Sequence, residues 1–317
     1  MKTLYSFYHK MNNYRALSPA LAKIAKDELN ENSSRISEEI EILRNWILQQ
    51  PHLRARTEAQ YLLSFLRGCK HSLERTKEKI DKFYSLRSSL PEVYNNRFVD
   101  DPKIVALRLP HTNGEDGPRI IIIRSGAYDA TTFRFPDMIR FGSMLGDIGF
   151  MEDDNASVAG QIEILDLANV NAHHFFDFEP LFMKKLITFS EKASPIRQKG
   201  IHFINTPPGF ETIFNTIRSF MSEEKKKRVS TIYLFVHGNM QSLYKFVPQN
   251  LLPAEYGGTN GCVQDIIDHW AKKLLEYRDF FVEESKLGSD ERLRIGEPFN
   301  PESVFGISGT FRKLDID

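Results

Sequence analysis

The sequence predicts an α/β protein: a small N-terminal helical bundle, followed by a domain with a mainly parallel sheet and helices laid against it. Three observations carry this expectation. Between residues 34 and 100, apolar residues recur at helical spacing and are interrupted only by short turn signals. After residue 100 the periodicity changes, and strand-like and helix-like segments alternate at least four times. The first of those strands, Arg119-Ile120-Ile121-Ile122-Ile123-Arg124, is apolar on both faces, as in the interior of a parallel sheet.

Whole-chain properties bound the class. A length of 317 residues allows one large domain or two ordinary ones, and 41% apolar content is enough for a proper core. Lys plus Arg and Asp plus Glu both number 42, so the formal charge is zero and no bulk attraction to nucleic acid is expected. Two cysteines, Cys69 and Cys262, are too few for a disulfide scaffold and suit a reducing compartment. The opening MKTLYSFYHKMNNYR has no apolar signal-peptide core, and no bilayer-spanning apolar run occurs. A cytoplasmic globular protein is expected.

In chain order, residues 1–33 read as a partly ordered arm. The helical region, 34–100, opens with Ile36, Ile40, Leu43 and Ile47 on a helix that stops before Pro51. Thr57-Glu58-Ala59-Gln60 has the form of a capping box and starts a second helix, which passes through Leu62, Leu63, Phe65 and Leu66 and closes at Gly68. A third runs from near Ser72 to Leu90, stopped by Pro91. In the larger domain, 101–288, the strand at Arg119 leads to a helix from about Thr131 to Leu145, a strand from Gln161 to Leu167, and a helix from about Pro180 to Lys192. Next come a strand at Gly200–Ile204, the turn Asn205-Thr206-Pro207-Pro208, and a helix with Pro208 near its first position. Phe210, Ile213, Phe214, Ile217 and Met221 form one stripe of that helix. A basic run, Lys225 to Arg228, precedes a strand from Thr231 to Val236. Val263, Ile266, Ile267, Trp270, Leu274 and Tyr277 trace a long helix ending by Gly288, and 289–317 reads as a polar, loosely packed tail.

Enzyme machinery is hard to find in this sequence. No G-x-G-x-x-G or G-x-x-x-x-G-K-[ST] supplies a phosphate cradle, and no G-x-S-x-G forms a nucleophile elbow. His173, His174 and Asp177 lack the spacing of a metal site, because adjacent histidines point in different directions. His237 follows a strand without a nucleophile nearby in sequence, and its expected role is to cap the turn His237-Gly238-Asn239. Asp166, on a strand, must find a partner if buried and is expected to hold structure. Phenylalanine is abundant, 24 residues, and from composition alone a bland core explains it as well as a cavity does.

Four motifs, in this order, decide between those readings. They are the strand GIHFIN at 200–205, the helix PGFETIFNTIRSFMSEEKKKR at 208–228, HGN at 237–239 and LLPAEYGG at 251–258. Together they resemble the CRAL-TRIO lipid-binding family. Upstream, FLRGCKHSLERTKEKIDKFYSLRSSLPE resembles the helical segment that precedes that domain, so the likeness covers roughly residues 35 to 285. The resemblance implies a sheet that floors a lipid pocket, with the helix at Gly209–Phe220 as a lid. It assigns the pocket to Ile139, Gly142, Gly146, Gln161, Leu165, Phe178, Leu186, Phe189, Ser190 and Ile196. The lid would add Phe210, Ile213, Phe214 and Ile217. It also implies a cationic cleft for phosphoinositide head groups at Arg197, Lys199 and Arg228. Glu224 stands where the family has a lysine, with Lys225 and Lys227 as substitutes.

The expected function is therefore a carrier, not an enzyme. It would have no metal, no cofactor and no nucleic-acid partner, and would hold one small hydrophobic ligand (a retinoid, tocopherol, carotenoid or other terpenoid). Its membrane contact would be transient and peripheral, on an anionic, phosphoinositide-containing surface. A phospholipid or phosphoinositide cargo, and a membrane-recruitment module with a structural lipid, stand as alternatives.

Overall fold

The computed structural model describes residues 13–100, 111–113, 117–176, 179–223 and 234–306. The N-terminal region comprises helices α1 (Pro19–Leu29), α2 (Ile36–Leu48), α3 (Ala59–Gly68) and α4 (Leu73–Ser88), with strand β1 (Leu53–Arg54) between α2 and α3. The larger domain contributes β2 (His111–Asn113), β3 (Arg119–Arg124), α5 (Phe135–Glu152), β4 (Gln161–Asp166), α6 (Pro180–Lys192), β5 (Gln198–Ile204), α7 (Phe210–Phe220) and β6 (Leu234–Val236). Helices α8 (Val263–Glu276) and α9 (Arg278–Glu284) and strand β7 (Gly288–Ser289) follow.

The sheet has the order β2-β3-β4-β5-β6. β2 runs antiparallel to β3, and the remaining pairs are parallel. Each parallel pair is joined through one of α5, α6 and α7, as the alternating pattern predicts. Side chains alternate across the sheet. On one face Ile120, Ile122, Ile164 and Ile204 are buried against Leu243, Val247, Leu252, Val263 and Ile267. On the other, Ile121, Ile123, Ile201 and Leu234 face a cavity. The apolar run of β3 is thus apolar on both faces for two different reasons.

Several local expectations are corrected. The described part of the expected arm, residues 13–33, is more than an arm, because α1 is a capped helix. Ser18 accepts the Leu21 N–H (3.2 Å), and Asn30 closes the helix in the left-handed conformation at φ 61°. Leu21, Ala25 and Leu29, on one stripe, pack against Val158 and Ala159 of the second domain, a partner that sequence spacing does not reveal. The capping box does not form: Glu58 is the cap of α3, and Gln60 instead accepts the Arg15 N–H (2.9 Å) and donates to Asp154 (3.3 Å). α4 ends at Ser88, and Pro91 opens a further turn of helix, Pro91–Tyr94, rather than ending one.

In the second domain α5 starts later and runs longer than the 131–145 expected, from Phe135 to Glu152, with Pro136 in its first turn. α7 begins at Phe210, after Gly209 in the left-handed region (φ 83°), so Pro208 lies outside the helix. The strand expected from Thr231 is described from Leu234, and Lys225 to Arg228 lie outside the described residues. The tail is packed as far as residue 306. Ser289 pairs with Leu53, Arg294 donates to both carboxylate oxygens of Asp81 (2.7 and 2.8 Å), and Phe305 is buried in the N-terminal core.

A buried ionic network locks the two regions together. Asp147 of α5 accepts from Arg87 of α4 (2.9 Å) and from Arg97 (2.7 Å). Arg87 also lies 3.1 Å from Glu284 of α9, which accepts a hydrogen bond from Arg56. Burial alone would raise the Asp147 pKa, but the two guanidinium groups outweigh it and hold the carboxyl below the usual range.

Candidate functional site

The cavity lies between the sheet and helices α5 and α6, and occupies about 400 Å³. That volume falls within the range of roughly 300–1,000 Å³ of small-molecule pockets. From α5 it takes Met138, Ile139, Gly142, Ser143, Leu145, Gly146, Asp147, Gly149 and Phe150. From α6 come Leu186, Ile187, Phe189, Ser190 and Glu191, with Ser194, Pro195 and Ile196 from the loop beyond. The sheet supplies Gln161, Glu163 and Gln198 beside the aliphatic side chains named above. Ser64, Phe83 and Tyr94 from the N-terminal region and Trp270 from α8 close the sides, so the cavity belongs to the two regions jointly.

Three glycines make the space. Gly142, Gly146 and Gly149 recur along one face of α5, and a Cβ built on any of them meets no atom within 4 Å. Glycine inside a helix costs about 1 kcal/mol relative to alanine. Here that cost leaves open volume where side chains would otherwise stand. Polar groups at the floor are satisfied locally: Gln161 donates to Glu163 (2.7 Å) and Gln198 to the Gly200 carbonyl (3.0 Å).

α7 covers one end. Phe210 and Phe214 pack on Phe203 of β5, with ring centroids 5.1 and 5.8 Å away, while Ile217 and Met221 reach the cavity. Of the residues singled out from sequence, Ile139, Gly142, Gly146, Gln161, Leu186, Phe189, Ser190, Ile196 and Ile217 therefore line this space. Leu165, Phe210, Ile213 and Phe214 do not, because the near end is filled by the Phe203–Phe210–Phe214 cluster rather than left open. Phe178 lies outside the described residues.

Sequence reasoning missed Ile121, Ile123, Glu163, Ile201 and Met221. Strand alternation starting from Gln161 and the helical stripe starting from Phe210 both carried the signal for two of them. Gly149, three residues beyond Gly146, carried it too.

Of the predicted cations, Lys199 is in β5 and Arg197 immediately precedes it. Their chain neighbours Ile196 and Gln198 line the cavity, while Arg197 and Lys199 themselves do not. Gly160, at φ 96°, makes this packing possible: a Cβ there would come within 2.5 Å of the Arg197 carbonyl oxygen and 2.9 Å of Lys199 Cγ. Lys225, Lys227 and Arg228 fall outside the described residues.

Polar groups elsewhere prove structural in their placement. Asp166 accepts from Tyr256 Oη (2.7 Å), Asn205 (2.8 Å) and the Ala168 N–H (2.9 Å). Folding does bring His237 a hydroxyl, Ser242, and a second ring, His202, whose Nδ1 lies 2.9 Å from His237 Nε2. None of these three side chains lines the cavity. The turn is capped by Asn239, which accepts the Ser242 N–H (3.0 Å), not by His237 as expected. Among the described residues no group of three or more His, Cys, Asp or Glu side chains is placed to hold a metal, and no helix is long and apolar enough to cross a membrane.

Comparison with known proteins matches residues 109–258 to the CRAL/TRIO domain and residues 32–104 to the Pinta-like UBA domain. Residues 109–258 form a CRAL/TRIO domain. The alpha-tocopherol transfer protein-like protein of Homo sapiens is 29% identical over 276 residues, covering 85% of this chain and 78% of that protein. Clavesin-1 of Mus musculus is 27% identical over 281 residues (85% and 77%), and clavesin-2 of Rattus norvegicus 26% over 269 (82% and 80%). The crystal structure of Sfh5 is 12% identical and superposes with a TM-score of 0.48 over 84% of this chain and 99% of that one. The CRAL/TRIO match spans β3 to β6 with α5, α6 and α7, the elements that floor, wall and cover the cavity.

Proposed function

We propose that this CRAL/TRIO protein carries one small hydrophobic molecule, of retinoid, tocopherol, carotenoid or other terpenoid type, between membranes. It works from the cytoplasm and touches anionic, phosphoinositide-containing surfaces only peripherally. The observation that carries this reading is the apolar cavity under α7, kept open by the glycines of α5. A space of about 400 Å³ suits a single tail or fused-ring body better than paired acyl chains. No step in this function needs a cofactor or a catalytic residue.

α7 is the lid. Phe210 is buried and contributes about 1.5–3 kcal/mol, while Ile213, Phe214 and Ile217 are half-buried and contribute less each. Opening in water forfeits that gain, whereas inserting the stripe into a bilayer interface restores much of it. Membrane contact therefore couples opening to release.

Native mass spectrometry with organic extraction tests the cargo. One terpenoid or retinoid mass per chain is expected, and a phospholipid in its place overturns this choice of ligand. Phe210→Asp with Phe214→Asp tests the lid: transfer between vesicles should slow at least about tenfold, since two charges cannot enter the interface cheaply. An unchanged transfer rate removes α7 from the mechanism.

A further inference from the structure

Arg197 and Lys199 already have partners, and Arg197 Nη1 donates to the Val158 carbonyl. Glu28 of α1 lies 2.8 Å from Arg197 Nη2 and 3.6 Å from Lys199 Nζ, joining segments 169 positions apart. The Arg197 hydrogen bond, aided by the charge of Lys199, holds its carboxyl below the usual range. The Glu28 side chain is half exposed, so it can rotate away without unfolding anything. Its helix cannot leave as easily. Leu21, Ala25 and Leu29 are buried on Val158 and Ala159, and Glu31 is bonded to Arg67 (2.8 and 3.2 Å).

We propose that Glu28 is a tethered competitor that makes the Arg197–Lys199 site selective for phosphomonoester head groups over singly charged anionic lipids. This rests on the reading that the chain docks at anionic membranes, and assigns that site its selectivity. A carboxylate fixed beside the site acts at high effective concentration. A phosphatidylserine carboxylate arriving from solution exchanges one carboxylate for another, and gains little. A phosphomonoester carries about −1.5 to −2 charges and three acceptor oxygens, enough to bridge Arg197 and Lys199 at once. It displaces Glu28 and leaves α1 in place.

The test uses the full chain as wild type, Glu28→Gln and Asp27→Asn. Asp27 is on the same helix and pairs with Lys23 (2.6 Å), so its substitution changes net charge equally without touching the site. Binding is measured to phosphatidylcholine vesicles containing either phosphatidylserine or a phosphoinositide, matched in surface charge. Wild type should favour the phosphoinositide vesicles. Glu28→Gln should bind the phosphatidylserine vesicles about three- to tenfold more tightly, as expected for loss of one or two surface pairs, and narrow that preference. Asp27→Asn should behave as wild type, and thermal melting should not change in either variant.

Equal binding by wild type and Glu28→Gln overturns the proposal, as does an equal gain in Asp27→Asn, which would mark a bulk charge effect. If neither wild type nor Glu28→Gln binds any anionic vesicle, the docking reading fails and the proposal with it. Soluble inositol trisphosphate should strip wild type from phosphoinositide vesicles. Persistent binding in its presence would overturn head-group recognition in favour of attraction to the surface.

Discussion

The two faces of the central sheet are made from the same residue type and end in opposite states. Ile120 and Ile122 of β3 are buried at 2% and 0% exposure against the loops after β6 and helix α8. Ile121 and Ile123, one residue along, border about 400 Å³ of open space. Aliphatic side chains on a strand therefore do not by themselves declare a core. What decides is the opposing layer, where 240–267 presents Leu, Val, Tyr and Ile, and α5 presents Gly142, Gly146 and Gly149. A cavity is maintained by leaving side chains off one surface, not by making the other unusual.

The most forceful way to break this comparison is to truncate neighbouring isoleucines of one strand. Ile122→Ala removes a fully packed side chain and should cost about 2–5 kcal/mol in denaturant unfolding. Ile123→Ala, whose side chain already borders a void, should cost clearly less, about 1 kcal/mol, since few packing contacts are lost. Similar losses for both would mean that the cavity face is packed as tightly as the core.

A titration sharpens the same contrast, because the packed face holds the buried ring of His202 on β5. It stacks on Phe235 (4.7 Å) and His237 (5.1 Å). Burial, and secondarily His237, push its pKa down to about 4, and burial lowers that of His237 as well. The folded state therefore prefers these rings neutral. Their contribution to stability is full above the unfolded value of about 6.5 and declines as pH falls toward 4. The slope approaches about 1.4 kcal/mol per pH unit for each proton taken up on unfolding. Unfolding curves collected between pH 7 and 4 should show this loss, and His202→Phe should flatten it. A slope left unchanged by that substitution would place the titrating group elsewhere.

How much of this was legible in the sequence follows the same division. The order of strands and helices, the apolar stripe of α7 and the CRAL/TRIO domain were readable because they depend on local periodicity and on motifs with fixed spacing. The cavity was readable in part: Gly142 and Gly146 came from the resemblance and Gly149 follows from helical spacing, but Ile121 and Ile201 required knowing which strand face opposed α5. Contacts across long separations were the least visible. Nothing in the local pattern of Pro19–Leu29 says that it docks on Val158 and Ala159, or that Glu28 reaches Arg197. The capping box failed for a related reason, since Gln60 found longer-range partners in Arg15 and Asp154. Phe210 and Phe214 satisfied helical periodicity without lining the cavity, because Phe203 fills the space between.

The smallest expected change in stability gives the most direct reading of the empty face. Gly146→Leu directs a side chain from a position where a Cβ meets nothing within 4 Å into the cavity that Gly146 lines. Replacing a mid-helix glycine with leucine favours the helix by up to about 1 kcal/mol, and the new side chain buries apolar surface as well. The variant should therefore melt slightly higher than wild type while losing the ability to bind all-trans-retinol, followed by its fluorescence in titration. Most binding-site substitutions weaken fold and ligand together, and cannot separate the two. Here they are expected to move in opposite directions, since the volume that costs the helix its stability is the volume the ligand would occupy. A variant that is stabilised yet still binds retinol with wild-type affinity would show that the glycine-lined space is not where the ligand sits.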